Sequence, residues 1–328
     1  MGGNSPKNVL IIKPETLIDS AKAKYIVGAM LGEGSHGSVY KVYLEADKSK
    51  EYAMKIDKKF SSRKDSKLNM EIAILKEVST LHPEKCHFTK IIDQGKKETC
   101  TFIIMELLGK SLADLKYAQP HEVFSLGTGL GAASQCLEAT EGLHNIGFIH
   151  RDIKPGNHAV GLGANEHIVY MLDFGIARKI TKEDNELKTP RQVSGFVGTT
   201  RFASLACHRK EEMGKKDDCE SWFYLFMDLI LISGLPWKRI TNRDLVKKVK
   251  EESRKESSAE AEVMYSGISK IRPELVKIIG YIDGLTYPER PDYELIQKML
   301  REAAEKAEVS MEFSFRTIGC EGRAFNSL

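Results

Sequence analysis

No two cysteines in this sequence stand at Cys-x-x-Cys spacing; the six present (Cys86, Cys100, Cys136, Cys207, Cys219 and Cys320) are scattered over 328 residues. That excludes an obvious zinc site or disulfide framework and suits reduced, mostly buried thiols in a cytosolic protein. An excess of one charge is missing too. Lys and Arg number 49 against 46 Asp and Glu, for a net +3, so neither nucleic acid nor a membrane is implied as a partner. Long hydrophobic runs are lacking. The most apolar stretch, 222–237, holds Asp228, Gly234 and Pro236, is too short to cross a bilayer, and reads as a buried helix. Residues 1–20 carry one short apolar run, 9–12, which gives no secretory signal, and Pro6 stands where a myristoylation start wants Ser or Thr. Internal repeats and long low-complexity linkers are also absent. What is there is an ordinary folded composition, 41% hydrophobic, long enough to bury a large core in one two-lobed domain or two small ones.

Four segments follow from the local patterns. Residues 1–22 form an arm, with 9–12 as a candidate extra strand. Residues 23–108 alternate as strands, with a glycine turn at 32–37, a polar turn at 46–50, a helix carrying Leu68, Ile72 and Leu75 on one face, and a turn at Asp93-Gln94-Gly95. Residues 109–310 read as helical. Ser111 caps a short helix, a longer one covers about 126–145, and a last one covers about 293–308. Residues 311–328 are a short tail. The expected class is α+β: a small antiparallel sheet lobe with one main helix, then a larger helical lobe.

The chemistry concentrates in 148–178. His150-Arg151-Asp152-Ile153-Lys154-Pro155-Gly156-Asn157 is followed, sixteen residues beyond Asn157, by Asp173-Phe174-Gly175. Two carboxylates, an amide and a lysine at those spacings can hold metal-bound phosphates beside a hydroxyl. Asp152 would accept or orient the hydroxyl proton, and Lys154 would neutralise the transferred phosphoryl group. Asn157 and Asp173 would offer a neutral and an anionic oxygen to Mg²⁺. Upstream, Gly32, Gly34, Gly37 and Val39 make G-x-G-x-x-G-x-V, whose backbone N–H groups can approach polyphosphate. The strand after those glycines argues against a dinucleotide fold, which would place a helix there. Lys55, sixteen residues past Val39, can reach the α- and β-phosphates of ATP if Glu71 holds it. Ala53 would line the adenine slot. Met105-Glu106-Leu107-Leu108 would meet the adenine edge, with Leu31 beside the first glycine.

With these motifs in view, the chain over about 25–301 resembles a eukaryotic protein kinase. Within that class it resembles the casein kinase 1 superfamily, through 105–115 (Met-Glu-Leu-Leu-Gly-Lys-Ser-Leu-Ala-Asp-Leu), 203–208 (Ala-Ser-Leu-Ala-Cys-His, where most kinases have Ala-Pro-Glu), Leu235-Pro236-Trp237 and Arg290-Pro291-Asp292-Tyr293. Residues 171–178 and 211–218 lean toward the tau-tubulin kinase branch. The resemblance implies a two-lobed protein kinase fold, with 23–108 and 109–310 as its lobes, and ATP and Mg²⁺ as cofactors. It implies protein substrates, with Lys154 and Thr199 favouring Ser or Thr as acceptor. It gives Asp218 a structural role, anchoring the catalytic loop backbone. It further implies a preference for acidic or phosphoprimed substrates, bound by basic groups beside the P+1 loop. Arg201 matches one of these, Lys248 another, and Arg239 stands where the family often has glycine. Lys238 to Lys250 carries six positive charges against Asp244. Two departures stand out: His36 replaces an aromatic at the glycine-loop tip, and Ala159 is small for the adenine floor. The long regulatory tail of many relatives is not expected, so autoinhibition in cis is not either. The whole reads as a monomeric cytoplasmic Ser/Thr kinase, without excluding the nucleus. A pseudokinase scaffold is the alternative, and a small-molecule phosphotransferase a more distant one.

Overall fold

A computed structural model describes residues 12–34, 37–58, 67–81, 87–97, 100–182 and 186–313. The chain divides into two compact units: Met1–Leu108 with Asp173–Gly175, and Gly109–Leu172 with Ile176–Leu328.

The first unit is a six-stranded antiparallel sheet with one helix. Its elements are β1 (Leu17–Asp19), β2 (Lys24–Gly34), β3 (Gly37–Leu44), β4 (Asp47–Lys58), α1 (Lys67–Leu81), β5 (Ile91–Lys96) and β6 (Cys100–Glu106), with the strands in the order β1-β2-β3-β4-β6-β5. Alternation decides the faces. Tyr40 and Val42 of β3 and Met54 and Ile56 of β4 join Tyr25, Val27, Phe102 and Ile104 in one core, so Val39, Ala53 and Lys55 fall on the opposite face. On α1, Leu68, Glu71, Leu75 and Val78 are buried at helical spacing, which puts a carboxylate inside the apolar stripe.

Two turns differ from expectation. The β3–β4 hairpin turns at Glu45-Ala46, with Leu44 opposite Asp47, so Lys48 to Lys50 belong to β4. Continued pairing out to Tyr43 and Glu51 and a Lys41–Glu51 ion pair of 2.7 Å favour the longer strand. Likewise Asp93, Gln94 and Gly95 lie within β5. A polar strand is tolerable because β5 is a sheet edge, and Asp93 accepts hydrogen bonds from Tyr25 Oη (3.1 Å) and Ser20 Oγ. Of the expected strand at 9–12, residues 9–11 lie outside the described residues. Ile12 is not in a strand, and its N–H donates to Tyr40 Oη at 3.0 Å.

The second unit is mostly helical: α2 (Leu112–Tyr117), α3 (Leu126–Asn145), α4 (Leu205–Arg209), α5 (Lys215–Ile230), α6 (Arg243–Glu252), α7 (Ala259–Met264), α8 (Arg272–Gly284) and α9 (Tyr293–Ala307). Two short ladders support its loops: β7 (Phe148–Ile149) with β10 (Arg178–Lys179), and β8 (His158–Val160) with β9 (Val169–Met171). Ser111 caps α2 in a reciprocal box with Asp114, as the Ser-x-x-Asp spacing suggests. The buried helix expected at 222–237 instead begins at Lys215 and stops at Ile230. Leu231 is already extended, Gly234 has φ +68°, and Pro236 cannot continue a helix. Among the described residues, no helix is long and apolar enough to cross a membrane.

Candidate active site

In the first unit, the β2–β3 hairpin carries the glycines, with Gly32 opposite Val39 and Gly34 opposite Gly37. Gly37 has φ +118°, and a Cβ there would overlap the carbonyl oxygen of Ile56, so this position requires glycine. His36, at the loop tip, lies outside the described residues. β4 then sets Lys55 opposite Val39 and Ala53 opposite Met105. Leu31 is half exposed, and Glu106 and Leu108 are half-buried.

Lys55 Nζ stands 2.5 Å from Glu71 Oε2 and 3.0 Å from Asp173 Oδ1. Burial alone would lower its pKa, but the two carboxylates outweigh that and hold the ammonium above its ordinary range. Asp173 takes φ +63°, and the next residue, Phe174, stacks on Phe88 with ring centroids 5.8 Å apart. The structure thus brings Lys55, Glu71 and Asp173 into one cluster.

In the second unit, Asp152 is nearly buried and its carboxylate is fully engaged. Oδ2 accepts from Lys154 Nζ at 2.7 Å, and Oδ1 accepts from the Thr199 hydroxyl at 2.7 Å and the Thr199 N–H at 2.8 Å. Lys154 also donates to Thr199 Oγ1 at 2.9 Å. The Asn157 amide nitrogen is committed to Asp152 O (2.8 Å) and Oδ2 (3.2 Å), which leaves its carbonyl oxygen as the atom for a hard cation. Gly198, with φ +82°, lets the chain pass over Arg151 O and deliver Thr199 to Asp152.

The catalytic-loop backbone is held from below. Asp218 on α5 accepts the N–H groups of His150 (2.6 Å) and Arg151 (2.9 Å), the role its position implied. His144 Nε2, 2.9 Å away, also meets Asp218, and His144 Nδ1 meets Tyr293 Oη at 2.5 Å. Although burial raises an aspartate, these donors hold Asp218 below the usual range, while burial lowers His144. With Asp218 ionised and His144 neutral, Nε2 carries the proton and Nδ1 accepts from tyrosine. Nearby, Glu212 pairs with Arg191 Nε at 2.5 Å and Arg178 Nε at 3.5 Å, and Arg191 also donates to Ser194 Oγ at 3.1 Å.

The remaining expected residues are dispersed in character. Ala159 is buried in β8. Arg201 donates to Lys238 O at 3.2 Å, next to exposed Arg239, and its guanidinium lies 3.8 Å from Asp228. Lys248 is exposed on α6. The count of six charges facing a groove needs correction: Lys250 is completely buried. It shares the inner face of α6 with Val246, four residues earlier, a spacing that could have revealed it. His144 carried no motif that singled it out; Tyr293 and Glu212 lie in stretches that carry the family resemblance, without a role for either side chain, and Asp228 lies in the apolar run 222–237.

Comparison with known proteins names the class of the chain that carries these two clusters. Residues 25–306 match the model described as protein kinase domain, so the chain belongs to the protein kinase family. It is 33% identical over 264 residues to the Caenorhabditis elegans "Putative serine/threonine-protein kinase ZK507.1", covering 80% of this chain and 77% of that one. It is 30% identical over 274 residues to the serine/threonine-protein kinase spe-6 of the same organism, covering 83% and 70%. The fold is the two-lobed α+β kinase fold, and the activity is that of a Ser/Thr protein kinase using ATP and Mg²⁺. Among the described residues no group of three or more His, Cys, Asp or Glu could hold a metal ion.

Proposed function

We propose that the chain is a casein kinase 1-like enzyme of the tau-tubulin kinase branch that phosphorylates Ser or Thr in acidic or phosphoprimed protein segments. The catalytic half rests on one observation: an Asp152 carboxylate oriented by Lys154, Asn157 and Thr199. In this reading the acceptor hydroxyl gives its proton to Asp152 as its oxygen bonds the γ-phosphorus and the bond to the ADP oxygen breaks. Lys154 neutralises charge on the transferred group, and Lys55, kept cationic by Glu71, meets the α- and β-phosphates. Asn157 and Asp173 would hold Mg²⁺, which when bound offsets charge on the β- and γ-phosphates. Leu31, Gly32, Gly34, Gly37, Val39, Ala53, Met105, Glu106, Leu108 and Ala159 are the proposed ATP contacts.

The substrate half rests on Arg201, Arg239 and Lys248. Arg239 and Lys248 are exposed and form no ion pair in the described residues, so their charge is open to an acidic peptide. Arg201 is partly neutralised by Asp228. The reading also includes a monomer in the cytoplasm, with access to the nucleus, acting on neither nucleic acid nor membrane. Buried free thiols at Cys100, Cys136, Cys207 and Cys219 support a reducing compartment.

The test is transfer of labelled phosphate from ATP to casein and to matched acidic and neutral peptides. Asp152→Asn should abolish labelling, and Arg201→Ala with Lys248→Ala should weaken acidic peptides far more than neutral ones. Equal labelling by Asp152→Asn would remove the base assignment, and no labelling by the wild type would favour a scaffold. A uniform loss across peptides would sink the anion site.

A further inference from the structure

α6 carries exposed positive charge at Lys248, yet its Lys250 points inward. Lys250 Nζ donates to Ala203 O at 2.6 Å and to Thr200 O at 3.2 Å. Its third proton faces His208 Nε2 at 3.3 Å, and the ammonium lies over the rings of Tyr224 (4.6 Å) and Trp237 (5.2 Å). Such rings favour a cation on their faces. No carboxylate pairs with Lys250 in the described residues; it is held by backbone carbonyls and π-faces.

Those carbonyls belong to a segment with substrate-side duties. Thr199, next to Thr200, holds Asp152, and Arg201 follows. The same segment is pinned at two more points: Trp237 Nε1 donates to Arg201 O at 2.7 Å, and the Leu205 N–H donates to both Glu220 oxygens at 3.1 Å. Glu220 is backed by Arg254, which bridges to Asp283. Removing Lys250 would leave two backbone carbonyls of the segment without the donor that spans them.

We propose that Lys250, as a buried cation, is a positioning residue that fixes residues 199–205 for the protein substrate and has no part in holding ATP. The proposal builds on the Ser/Thr kinase activity and is independent of any preference for acidic peptides. Burial pulls the Lys250 pKa down to about 7 against the pull of Glu220. Around it, burial, then Lys250 itself, lowers His208 to about 4, so it stays neutral above that. Burial raises Cys207 and Tyr224, which stay protonated, while Glu220 and Arg254 stay charged. Lys250 is therefore the group of this set that changes charge between pH 6 and 9. Once neutral, it has two protons for the two carbonyls and His208 Nε2 around it, and loses its charge-assisted bonds.

Steady-state kinetics of the full chain test this with an acidic and a neutral peptide, both free of His and phosphate. Lys250→Met keeps the stem and removes the donors. The expected result is a KM rise of about tenfold for both peptides, with KM for ATP within about twofold of wild type. Wild-type peptide KM should also rise from pH 6 to 9. An unchanged peptide KM, or an equal rise for ATP, overturns the proposal. So does a loss confined to the acidic peptide, which would assign Lys250 to the groove's field instead. If Lys250→Met does not fold, the wild-type profile decides: a flat peptide KM across that range overturns it.

Discussion

Replacing Asp218 with Asn isolates what holds the catalytic loop. The carboxylate is buried and accepts three hydrogen bonds, from the N–H groups of His150 and Arg151 and from His144 Nε2. Bonds to a charged group contribute about 1.5–3 kcal/mol each. Opposing them, Arg151 sits at φ +68°, a left-handed conformation costing about 1–3 kcal/mol outside glycine. An asparagine amide offers one oxygen where the carboxylate offers two. However it turns, its NH₂ faces at least one of those donors, leaving a buried N–H without an acceptor at about 1–3 kcal/mol. The surviving bonds also weaken from charge-assisted to neutral. The balance is a destabilisation of about 3 kcal/mol, and the strained loop geometry at Arg151 loses its support. Urea unfolding should register that loss directly. Initial rates at saturating ATP and peptide should fall about 100-fold, since each 1.36 kcal/mol is about tenfold. KM for ATP should change little, because the Lys55–Glu71–Asp173 cluster does not include Asp218. A variant within about 0.5 kcal/mol of wild type, with kcat within about threefold, would refute this account.

Two further perturbations probe neighbouring features. Gly198→Ala would press a Cβ against Arg151 O from a φ of +82°, so Thr199 should withdraw from Asp152 and kcat should drop at least about tenfold, measured on the same peptides. Acid stability should fall steeply only below about pH 4 by urea unfolding from pH 7 to 3. Burial raises Asp217 to about 6, which favours the folded state as pH falls from about 6 toward 4, but His208, lowered to about 4, and His144, also lowered, oppose it over the same range because the unfolded state binds those protons first. Glu212, Asp218 and Glu220 have depressed folded values; their contribution is complete above the ordinary carboxylate range and is lost as pH falls below it. Stability that keeps rising below about pH 4 would contradict the assignment of those three.

Much of the fold could be read from the chain because its signals are local. Ser111 with Asp114 announces α2, and the spacing of apolar residues delimits α3 at the residues observed. The misread turns share one cause. Lys48 to Lys50 and Asp93 to Gly95 are polar residues in strands, where cross-strand pairing at an edge or hairpin end overrides composition. The end of α5 is the converse: Leu231, Leu235 and Trp237 stay buried after the helix has stopped, while Ile232 is exposed, because burial and helicity are separate properties.

The site divides along a similar line. Lys55, Glu71 and Asp173 meet through their side chains, as do Asp152, Lys154 and Asn157, so residue type and spacing are bound together and leave a motif. The residues that hold this machinery in place act on backbone atoms. Asp218 receives the N–H groups of His150 and Arg151, Lys250 donates to the carbonyls of Thr200 and Ala203, Trp237 to that of Arg201, and Glu220 accepts from Leu205. Every residue but proline presents the same N–H and C=O, so the held partner leaves no mark on the sequence. Only the holder's own oddity remains, such as a lysine four residues after a valine on the buried face of α6. The charge count over 238–250 does not distinguish Lys250 from the exposed Lys248. Placing each charge on its helical face would have separated it, and that separation makes Lys250 and Lys248 testable as two different kinds of residue.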